Sequence, residues 1–222
     1  MPTDPLTIAL PSGALIRCRA LLFDMDGVLV DSLPTIMQHL RDWALRHGLE
    51  PERVIELSHG RNNVELIQTA APFLDAQQEA RRMQQREIDE VGGLVGCTGA
   101  RELLLALPWD AWAVVTSGYA PVARARLRAT RMPIPDVLVT ASDVQAGKPD
   151  PEGYLTAAAR LDVPPEECVV FEDAPAGVAA AHAGGMRVVG IKGTVDAQVL
   201  DTEHTVANLG AVRLLLGDGV VN

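Results

Sequence analysis

The sequence has few cysteines, no long apolar segment and no excess of positive charge, and each shortage excludes a class of protein. Its three cysteines, Cys18, Cys97 and Cys168, form no CxxC pair and leave an odd thiol, so neither a disulfide framework nor a zinc cluster is expected. No apolar run approaches the roughly 20 residues that span a bilayer, and the N-terminus lacks the basic start and apolar centre of a signal peptide. We therefore expect a soluble protein in a reducing, cytoplasmic compartment.

The charge balance limits the choice of partners. There are 29 acidic and 19 basic residues, and this net charge of -10 opposes binding to nucleic acid or to anionic membranes. Salt screens that field beyond about 10 Å, so a local basic pocket can still bind a small anion. We expect a small phosphorylated metabolite as the partner, no nucleic acid, no membrane, and a monomer or weak homodimer.

Short apolar runs alternate with helical stretches over most of the chain, which has 222 residues and can bury a substantial core. Strand-like runs lie at residues 20–23, 112–115, 137–139, 169–171 and 188–191. Helical stretches follow at residues 120–129, 151–161 and 176–183. This alternation predicts an α/β fold with a doubly wound, Rossmann-like parallel sheet, in which ligands bind at the carboxyl ends of the strands.

One segment breaks the alternation and predicts a second, smaller domain. Residues 33–90 contain no strand-like run, and apolar residues between 36 and 44 fall on one helical face. We interpret residues 33–92 as an all-helical cap inserted into a catalytic core of residues 14–32 and 93–222. Gly92, Gly93 and Gly96 are its flexible return points. Residues 1–13, with prolines at 2, 5 and 11, are interpreted as a loosely attached arm.

Two acids follow the first apolar run. The segment LLFDMDGVLVDS, residues 21–32, carries Asp24 and Asp26 after four apolar residues and before Gly27. Side chains two apart in a strand point to the same face, so the two carboxylates can converge on one ligand. A bare DxDG string fits an ordinary Asp-rich turn equally well, so the motif needs partners elsewhere.

Hydroxyl and cationic side chains follow later strands. VVTSG, residues 114–118, places Thr116 and Ser117 where their hydroxyls and backbone N–H groups can bind an anion, although a helix cap is the commoner meaning of such a string. GKPDPEGY, residues 147–154, places Lys148 in a loop before a helix, where its charge can neutralise a phosphate. Most lysines are simply solvated surface groups.

A second acidic pair ends the fourth run. VVFEDAPAGVAAA, residues 169–181, carries Glu172 and Asp173 beside a helix start. Helix-dipole stabilisation explains one acid there, but two more carboxylates near Asp24 and Asp26 repel strongly unless a cation joins them. Mg²⁺ is the natural choice, because it pairs a few carboxylates with water and substrate phosphate.

These four segments, in this order, resemble the motifs of the haloacid dehalogenase-like phosphatase superfamily over roughly residues 18–207. The resemblance implies that Asp24 attacks phosphorus to form an aspartyl-phosphate, and that Asp26 protonates the leaving oxygen and then activates water. It assigns Thr116 and Lys148 to the phosphoryl group. It assigns Asp24, the main-chain carbonyl of Asp26 and Asp173 to magnesium, with Glu172 as an outer ligand.

The helical insert resembles the small cap of the β-phosphoglucomutase-like branch, whose members include sugar and polyol phosphatases. The segment HGRNNVELI, residues 59–67, is the best candidate for substrate contacts from the cap, through His59, Arg61 and Asn62. Plainer interpretations exist for each: Asn62 caps a helix, with Glu65 completing a capping box, Arg61 is solvated, and His59 satisfies a backbone group.

The resemblance leaves two alternatives to a sugar or polyol phosphatase. A hexose phosphate mutase shares the same core residues, but the mutase pattern has a histidine in the cap linker where Ile36 stands, and His39 lies nearly one helical turn further on. A catalytically silent regulatory protein of the same fold is expected to lack a site residue, and none is missing. We therefore expect a Mg²⁺-dependent phosphatase of a small sugar or polyol phosphate. The haloacid dehalogenases themselves are disfavoured, because their first motif lacks the acid that stands at Asp26.

Overall fold

The computed structural model describes residues 5–58, 61–193, 199–216 and 219–221. In chain order the strands are β1 (Leu6–Ala9), β2 (Leu15–Cys18), β3 (Ala20–Phe23), β4 (Val30–Asp31), β5 (Val95–Gly96), β6 (Trp112–Val115), β7 (Leu138–Val139), β8 (Cys168–Glu172), β9 (Arg187–Ile191), β10 (His204–Val206), β11 (Arg213–Leu216) and β12 (Gly219–Val221). The helices are α1 (Leu33–Arg46), α2 (Pro51–Ser58), α3 (Asn63–Ala70), α4 (Ala76–Asp89), α5 (Ala100–Ala106), α6 (Ala120–Ala129), α7 (Glu152–Arg160) and α8 (Pro175–Ala183).

A six-stranded sheet forms the centre of the molecule, in the order β10-β9-β8-β3-β6-β7. All five pairings between neighbouring strands in it are parallel. Strand β3 lies between β8 and β6, so the chain winds outward from it in both directions. The expected doubly wound parallel sheet is therefore confirmed. In such sheets the crevice at the central switch point is the usual ligand site.

The central strands are buried on both faces, as the continuous apolar runs predict. One face of the sheet contributes to a cluster that includes Phe23, Trp112 and Phe171, and the other to a cluster that includes Leu22, Val170 and Tyr154. Helices α6, α7 and α8 lie close to the predicted helical stretches. The two covered faces hold the strand ends in fixed positions.

A second sheet, antiparallel and in the order β12-β11-β1-β2, joins the two ends of the chain. Strand β1 pairs with β2 and with β11, and the side chains of Leu6 and Ile8 are buried in the core. The interpretation of residues 1–13 as a loose arm is therefore wrong for residues 6–9. Residues 1–4 lie outside the described part of the chain. Burial of alternate apolar side chains holds this segment against the core.

The insert is helical, and we call residues 33–92, with helices α1 to α4, the cap. It has a hydrophobic cluster of its own, which includes Leu40, Trp43 and Leu66. Asn62 and Glu65 form the expected capping box at the start of α3. Strands β4 and β5 pair antiparallel where the chain enters and leaves the cap. The domain boundaries at 32/33 and 92/93 stay a prediction.

None of the helices within the described ranges combines the length and the apolar character that are needed to cross a bilayer.

Candidate active site

The candidate site lies at the carboxyl ends of the three central strands. Asp24 follows β3, Thr116 follows β6, and Glu172 is the last residue of β8. The rings of Phe23 and Phe171, each one residue before an acid of the site, stack with centroids 5.2 Å apart. Because parallel neighbouring strands end at the same edge of the sheet, residues about 150 positions apart in the sequence come together.

Lys148 connects two of the acids. Its Nζ lies 2.5 Å from Oδ1 of Asp24 and 2.6 Å from Oε1 of Glu172, and it also donates to the carbonyl of Val115 at 3.3 Å. Burial by itself lowers the pKa of Lys148, but the carboxylates of Asp24 and Glu172 raise it well above its ordinary value. The ammonium group is therefore permanently charged beside Asp24.

Both oxygens of Glu172 are occupied by protein donors. Oε1 accepts from Lys148 and from the hydroxyl of Tyr154 at 2.9 Å, and Oε2 accepts from the backbone N–H groups of Asp173 and Ala174 at 2.9 and 3.0 Å. The carboxylate lies so close to α8 that a Cβ on Gly177 would fall 1.6 Å from Oε1. Glu172 is thus locked in place, which is compatible with the role of an outer ligand.

Asp24, Glu172 and Asp173 form a buried acidic cluster in which one ligand oxygen of each lies within 4.8 Å of the others. All three side chains are buried. Burial raises the pKa of Asp24 well above its usual range, Lys148 opposes that shift, and the neighbouring acids Glu172, Asp173 and Asp26 add to it. One ammonium group cannot balance three carboxylates, so this oxygen-rich site suits a hard divalent cation.

Thr116 and Ser117 differ in their surroundings. Thr116 is buried, its backbone N–H donates to the carbonyl of Val139, and its Oγ1 accepts from the N–H of Gly118 at 3.0 Å. The hydroxyl proton of Thr116 is therefore left to donate to an anion, whereas its backbone N–H is already used. Ser117 is exposed to solvent.

The side chain of Asp26 is not one of the three clustered carboxylates and has partners of its own. Its Oδ1 accepts from the hydroxyl of Ser32 at 2.5 Å and from Nη1 of Arg126 at 2.7 Å. Ser32 is the N-cap residue of α1, but its side chain accepts no capping hydrogen bond, and its hydroxyl donates to Asp26. The two aspartates of the DxDG motif therefore have different partners: Asp24 contacts the core, and Asp26 contacts the entrance to the cap.

The structure describes two of the three cap residues predicted from the sequence. His59 lies outside the described residues. Asn62 is exposed and its side chain accepts from the N–H of Glu65, and Arg61 donates to the carbonyl of Leu57 at 2.7 Å. A cavity of about 140 Å³ in the cap is lined by Arg61 and, among others, His39, Asn63 and Glu87. A substrate role for His59, Arg61 and Asn62 stays a prediction.

The sequence interpretation did not identify several residues that support the site, among them Tyr154, Ser32, Gly177 and Arg126. Arg126 is one of several arginines in α6, so its charge alone does not mark it as a residue of the site. Helical spacing provides a signal for its burial, because Val122, Ala123 and Leu127 lie on the same face as Arg126 and all four are buried. Tyr154 and Gly177 offer no comparable signal, because their importance depends on where the carboxylate of Glu172 lies.

Comparison with known proteins identifies the class. The haloacid dehalogenase-like hydrolase family matches residues 18–185, so the chain belongs to that family, as the motifs predict. Hexitol phosphatase A of Escherichia coli is 41% identical over 215 residues, which cover 93% of this chain and 100% of that protein. Glycerol-1-phosphate phosphohydrolase 1 of Saccharomyces cerevisiae is 37% identical over 198 residues, which cover 83% of this chain and 79% of that protein.

The fold has a counterpart among solved structures. The crystal structure of CbbY from Rhodobacter sphaeroides, in complex with phosphate, superimposes with a TM-score of 0.77 at 25% identity. The match covers 87% of this chain and 95% of that one. The similarity therefore extends over most of the chain.

Proposed function

We propose that this chain is a Mg²⁺-dependent phosphoric monoester hydrolase that acts on a small sugar phosphate or polyol phosphate. The observation that carries the proposal is the buried cluster of Asp24, Glu172 and Asp173 around Lys148, at the carboxyl end of the central strand. Phosphoryl transfer depends mainly on positioning and on charge stabilisation, and this cluster supplies both.

Magnesium fits the donor set. Asp24 and Asp173 offer carboxylate oxygens, the main-chain carbonyl of Asp26 is the third protein ligand implied by the motifs, and Glu172 orients the group from outside. When bound, the metal neutralises the repulsion between these acids and the negative charge of the phosphoryl group. The residue assignments are proposals supported by the close approach of the buried carboxylates.

Asp24 is the proposed nucleophile. A carboxylate oxygen of Asp24 forms a bond to phosphorus while the bond from phosphorus to the leaving oxygen breaks, which gives an aspartyl-phosphate and a free alcohol. Lys148, at 2.5 Å, holds the Asp24 side chain and places a positive charge beside the incoming phosphoryl oxygens. The hydroxyl of Thr116 donates to the same phosphoryl oxygens. Ser117, the exposed residue that follows it, is the second hydroxyl proposed for phosphate binding.

Asp26 is the proposed acid and base. A sugar alkoxide is a poor leaving group, so proton donation from a positioned carboxylic acid is worth about 10²- to 10⁴-fold in rate. After the alcohol leaves, the ionised Asp26 takes a proton from the water that attacks phosphorus, which releases phosphate and restores Asp24. The hydrogen bonds of Asp26 to Ser32 and Arg126, which Asp24 does not share, support a role distinct from that of Asp24.

The substrate class follows from the relatives and from the cap. Hexitol phosphatase A and glycerol-1-phosphate phosphohydrolase 1 are named for polyol phosphates, and we extend that class to this chain. The cap cavity of about 140 Å³ has polar and charged lining residues, which suit hydroxyl groups. Glu87, which lines this cavity, contacts Arg126, and Arg126 contacts Asp26. The side chain of Arg126 thus links the cavity to the proposed acid.

The mutase alternative receives less support. Ile36 packs against the apolar cluster of the cap, and Nε2 of His39 lies 3.0 Å from Glu90 at the end of α4. The histidine is thus paired within the cap. If the chain were a mutase, it would isomerise a hexose phosphate faster than it hydrolyses it.

A phosphate-release screen tests the proposal. Glycerol 1-phosphate, sorbitol 6-phosphate, glucose 6-phosphate and ribose 5-phosphate are incubated with enzyme and Mg²⁺, with hexose phosphate isomerisation measured in parallel. We expect one class of phosphate ester to be hydrolysed with a higher kcat/KM than the others. Absence of phosphate release from every ester, with a folded protein, contradicts the proposal.

Two controls assign the activity to the proposed site. Asp24→Asn should lower kcat by on the order of 10³-fold or more, because the nucleophile is lost. The matched control Asp110→Asn removes an exposed carboxylate and should leave kcat unchanged. Excess EDTA should stop the wild-type reaction and added Mg²⁺ should restore it; full turnover in EDTA contradicts the metal requirement.

A further inference from the structure

Arg126 is a buried arginine that takes no part in the proposed catalytic steps. It lies on α6 with only 5% of its surface exposed, whereas Arg124 and Arg128 on the same helix are exposed. Removing a guanidinium group from water costs several kcal/mol, so a buried arginine needs well-aligned partners. The role of Arg126 should therefore follow from the groups that it contacts.

The guanidinium group joins the proposed acid to the cap. Nη1 donates to Oδ1 of Asp26 at 2.7 Å, and Nη2 donates to Oε2 of Glu87 at 2.8 Å. Glu87 lies near the end of α4, and its other oxygen accepts from the side chain of Asn63 at 3.3 Å. One planar group therefore contacts a carboxylate at the end of β3 and a carboxylate of the cap.

The second donor to Asp26 comes from the connection into the cap. Ser32, at the start of α1, donates to the same oxygen, Oδ1, that Arg126 contacts. Among the described residues, the hydrogen bonds to this side chain all fall on Oδ1. That oxygen is held from two sides, and Oδ2 is left to exchange a proton with the leaving oxygen and with water.

We propose that Arg126 is a positioning residue that fixes the carboxylate of Asp26 for proton transfer and, through Glu87, makes that position depend on the packing of cap helix α4 against α6. This inference rests on the proposed function. A guanidinium fork holds two carboxylates in fixed directions, which a flexible ammonium group does not. Displacement of α4 removes Glu87, one of the two carboxylates that hold the Arg126 guanidinium group. The cap therefore controls how firmly Arg126 holds Asp26.

The test compares leaving groups in Arg126→Met, Arg126→Lys and Glu87→Gln. The substrates are p-nitrophenyl phosphate, whose leaving group needs little protonation, and sorbitol 6-phosphate or whichever alkyl phosphate the screen ranks first. We expect Arg126→Met to lower kcat on the alkyl phosphate by about 10²-fold while kcat on p-nitrophenyl phosphate changes by less than about threefold. Glu87→Gln should lose about tenfold on the alkyl phosphate alone.

A conservative variant and a matched control separate positioning from folding. Arg126→Lys should recover part of the loss of Arg126→Met, since an ammonium group can reach one of the two carboxylates. Arg128→Met removes an exposed arginine from the same helix and should leave both substrates unaffected. If Arg126→Met does not fold, Arg126→Lys and Glu87→Gln carry the same comparison. Equal losses on both substrates overturn the inference.

A double-variant cycle tests the connection through Glu87. If Glu87 acts through Arg126, adding Glu87→Gln to Arg126→Met should change alkyl phosphate turnover by less than about twofold further. Multiplicative losses overturn the proposed connection. These outcomes are distinct from a failure of the proposed function, in which the wild-type chain itself releases no phosphate, or releases it equally well with Asp24→Asn.

Discussion

The core and the cap hold their charged groups in different ways. In the core, Lys148 and its partners Asp24 and Glu172 have side chains that are 12% exposed or less. Asp24 and Glu172 lie at strand ends, and Lys148 lies in the loop before α7. In the cap, Arg86 pairs with Asp42 and Glu90, whose side chains are 32% and 51% exposed. Buried pairs are fixed and costly to break, whereas exposed pairs contribute little. We therefore expect substitutions at these buried pairs of the core to cost more than substitutions at these exposed pairs of the cap.

The largest effect should come from breaking the core pair. Lys148→Met leaves buried carboxylates without their cation, so we expect a loss of about 3 kcal/mol in the free energy of unfolding, measured by urea denaturation in EDTA, and near-complete loss of turnover. Asp24→Asn in the same chain should restore part of that stability, because it removes one of the unpaired charges.

The cap provides the matched control for this prediction. Arg86→Met removes a cation that is shared by two carboxylates in the cap, and its effect on stability should be much smaller and should fade in high salt. Similar losses for Lys148→Met and Arg86→Met at high salt contradict the distinction between the two regions.

A smaller effect is expected where α8 passes Glu172. Gly177→Ala places a Cβ 1.6 Å from Oε1 of Glu172, so the carboxylate must move away from Lys148 and Tyr154. We expect a loss of about 2 kcal/mol in stability and Mg²⁺ activation that is about 10- to 100-fold weaker, measured by thermal denaturation and by metal titration of activity.

Gly92→Ala is the control at the cap connection, where an added Cβ meets no atom within 4 Å. That substitution should leave activity unchanged and stability unchanged or slightly higher. If Gly177→Ala is equally harmless, Glu172 is not held in the position described above.

The smallest effects should be on the pH dependence of the free energy of unfolding. One acid in the core and one in the cap should change it in opposite directions. Burial raises the pKa of Asp24, so the folded state binds its proton more tightly than the unfolded state does. Without metal, this group should lower the free energy of unfolding as pH rises from its ordinary pKa of 3.8 to the raised value. Asp24→Asn should remove that decline in chemical denaturation series in EDTA.

Glu79 in the cap should behave in the opposite sense. Burial raises its pKa, but hydrogen bonds from Arg82 and Trp43 outweigh burial and lower it below its ordinary 4.5. Its stabilising contribution is therefore complete above pH 4.5 and is lost as pH falls through the lower, folded-state pKa. Glu79→Gln should reduce the acid sensitivity of the cap, and an unchanged pH profile in either variant contradicts the corresponding assignment.

The sequence predicted the central fold well and the ends poorly. Strands β3, β6 and β8 are continuous apolar runs between turn signals, and such runs are local features. The pairing of β1 with β11 joins segments about 200 residues apart, and the proline-rich start of the chain gives no sign of it. Similarly, Arg126 is one of several arginines in α6 in the sequence, and only its register on the packed helix distinguishes it.

The sequence by itself determined the motif residues and their order: three of the four motifs follow an apolar run of strand length, and Lys148 precedes a predicted helix. It also implied a cation, since four acids in two motifs cannot share one strand edge without a compensating charge. The tertiary structure alone decided how those residues are partnered: Asp24 with Lys148, and Asp26 with Ser32 and Arg126. The reason is that hydrogen-bond partners depend on distances across the fold, and sequence spacing constrains those distances only within a single helix or strand.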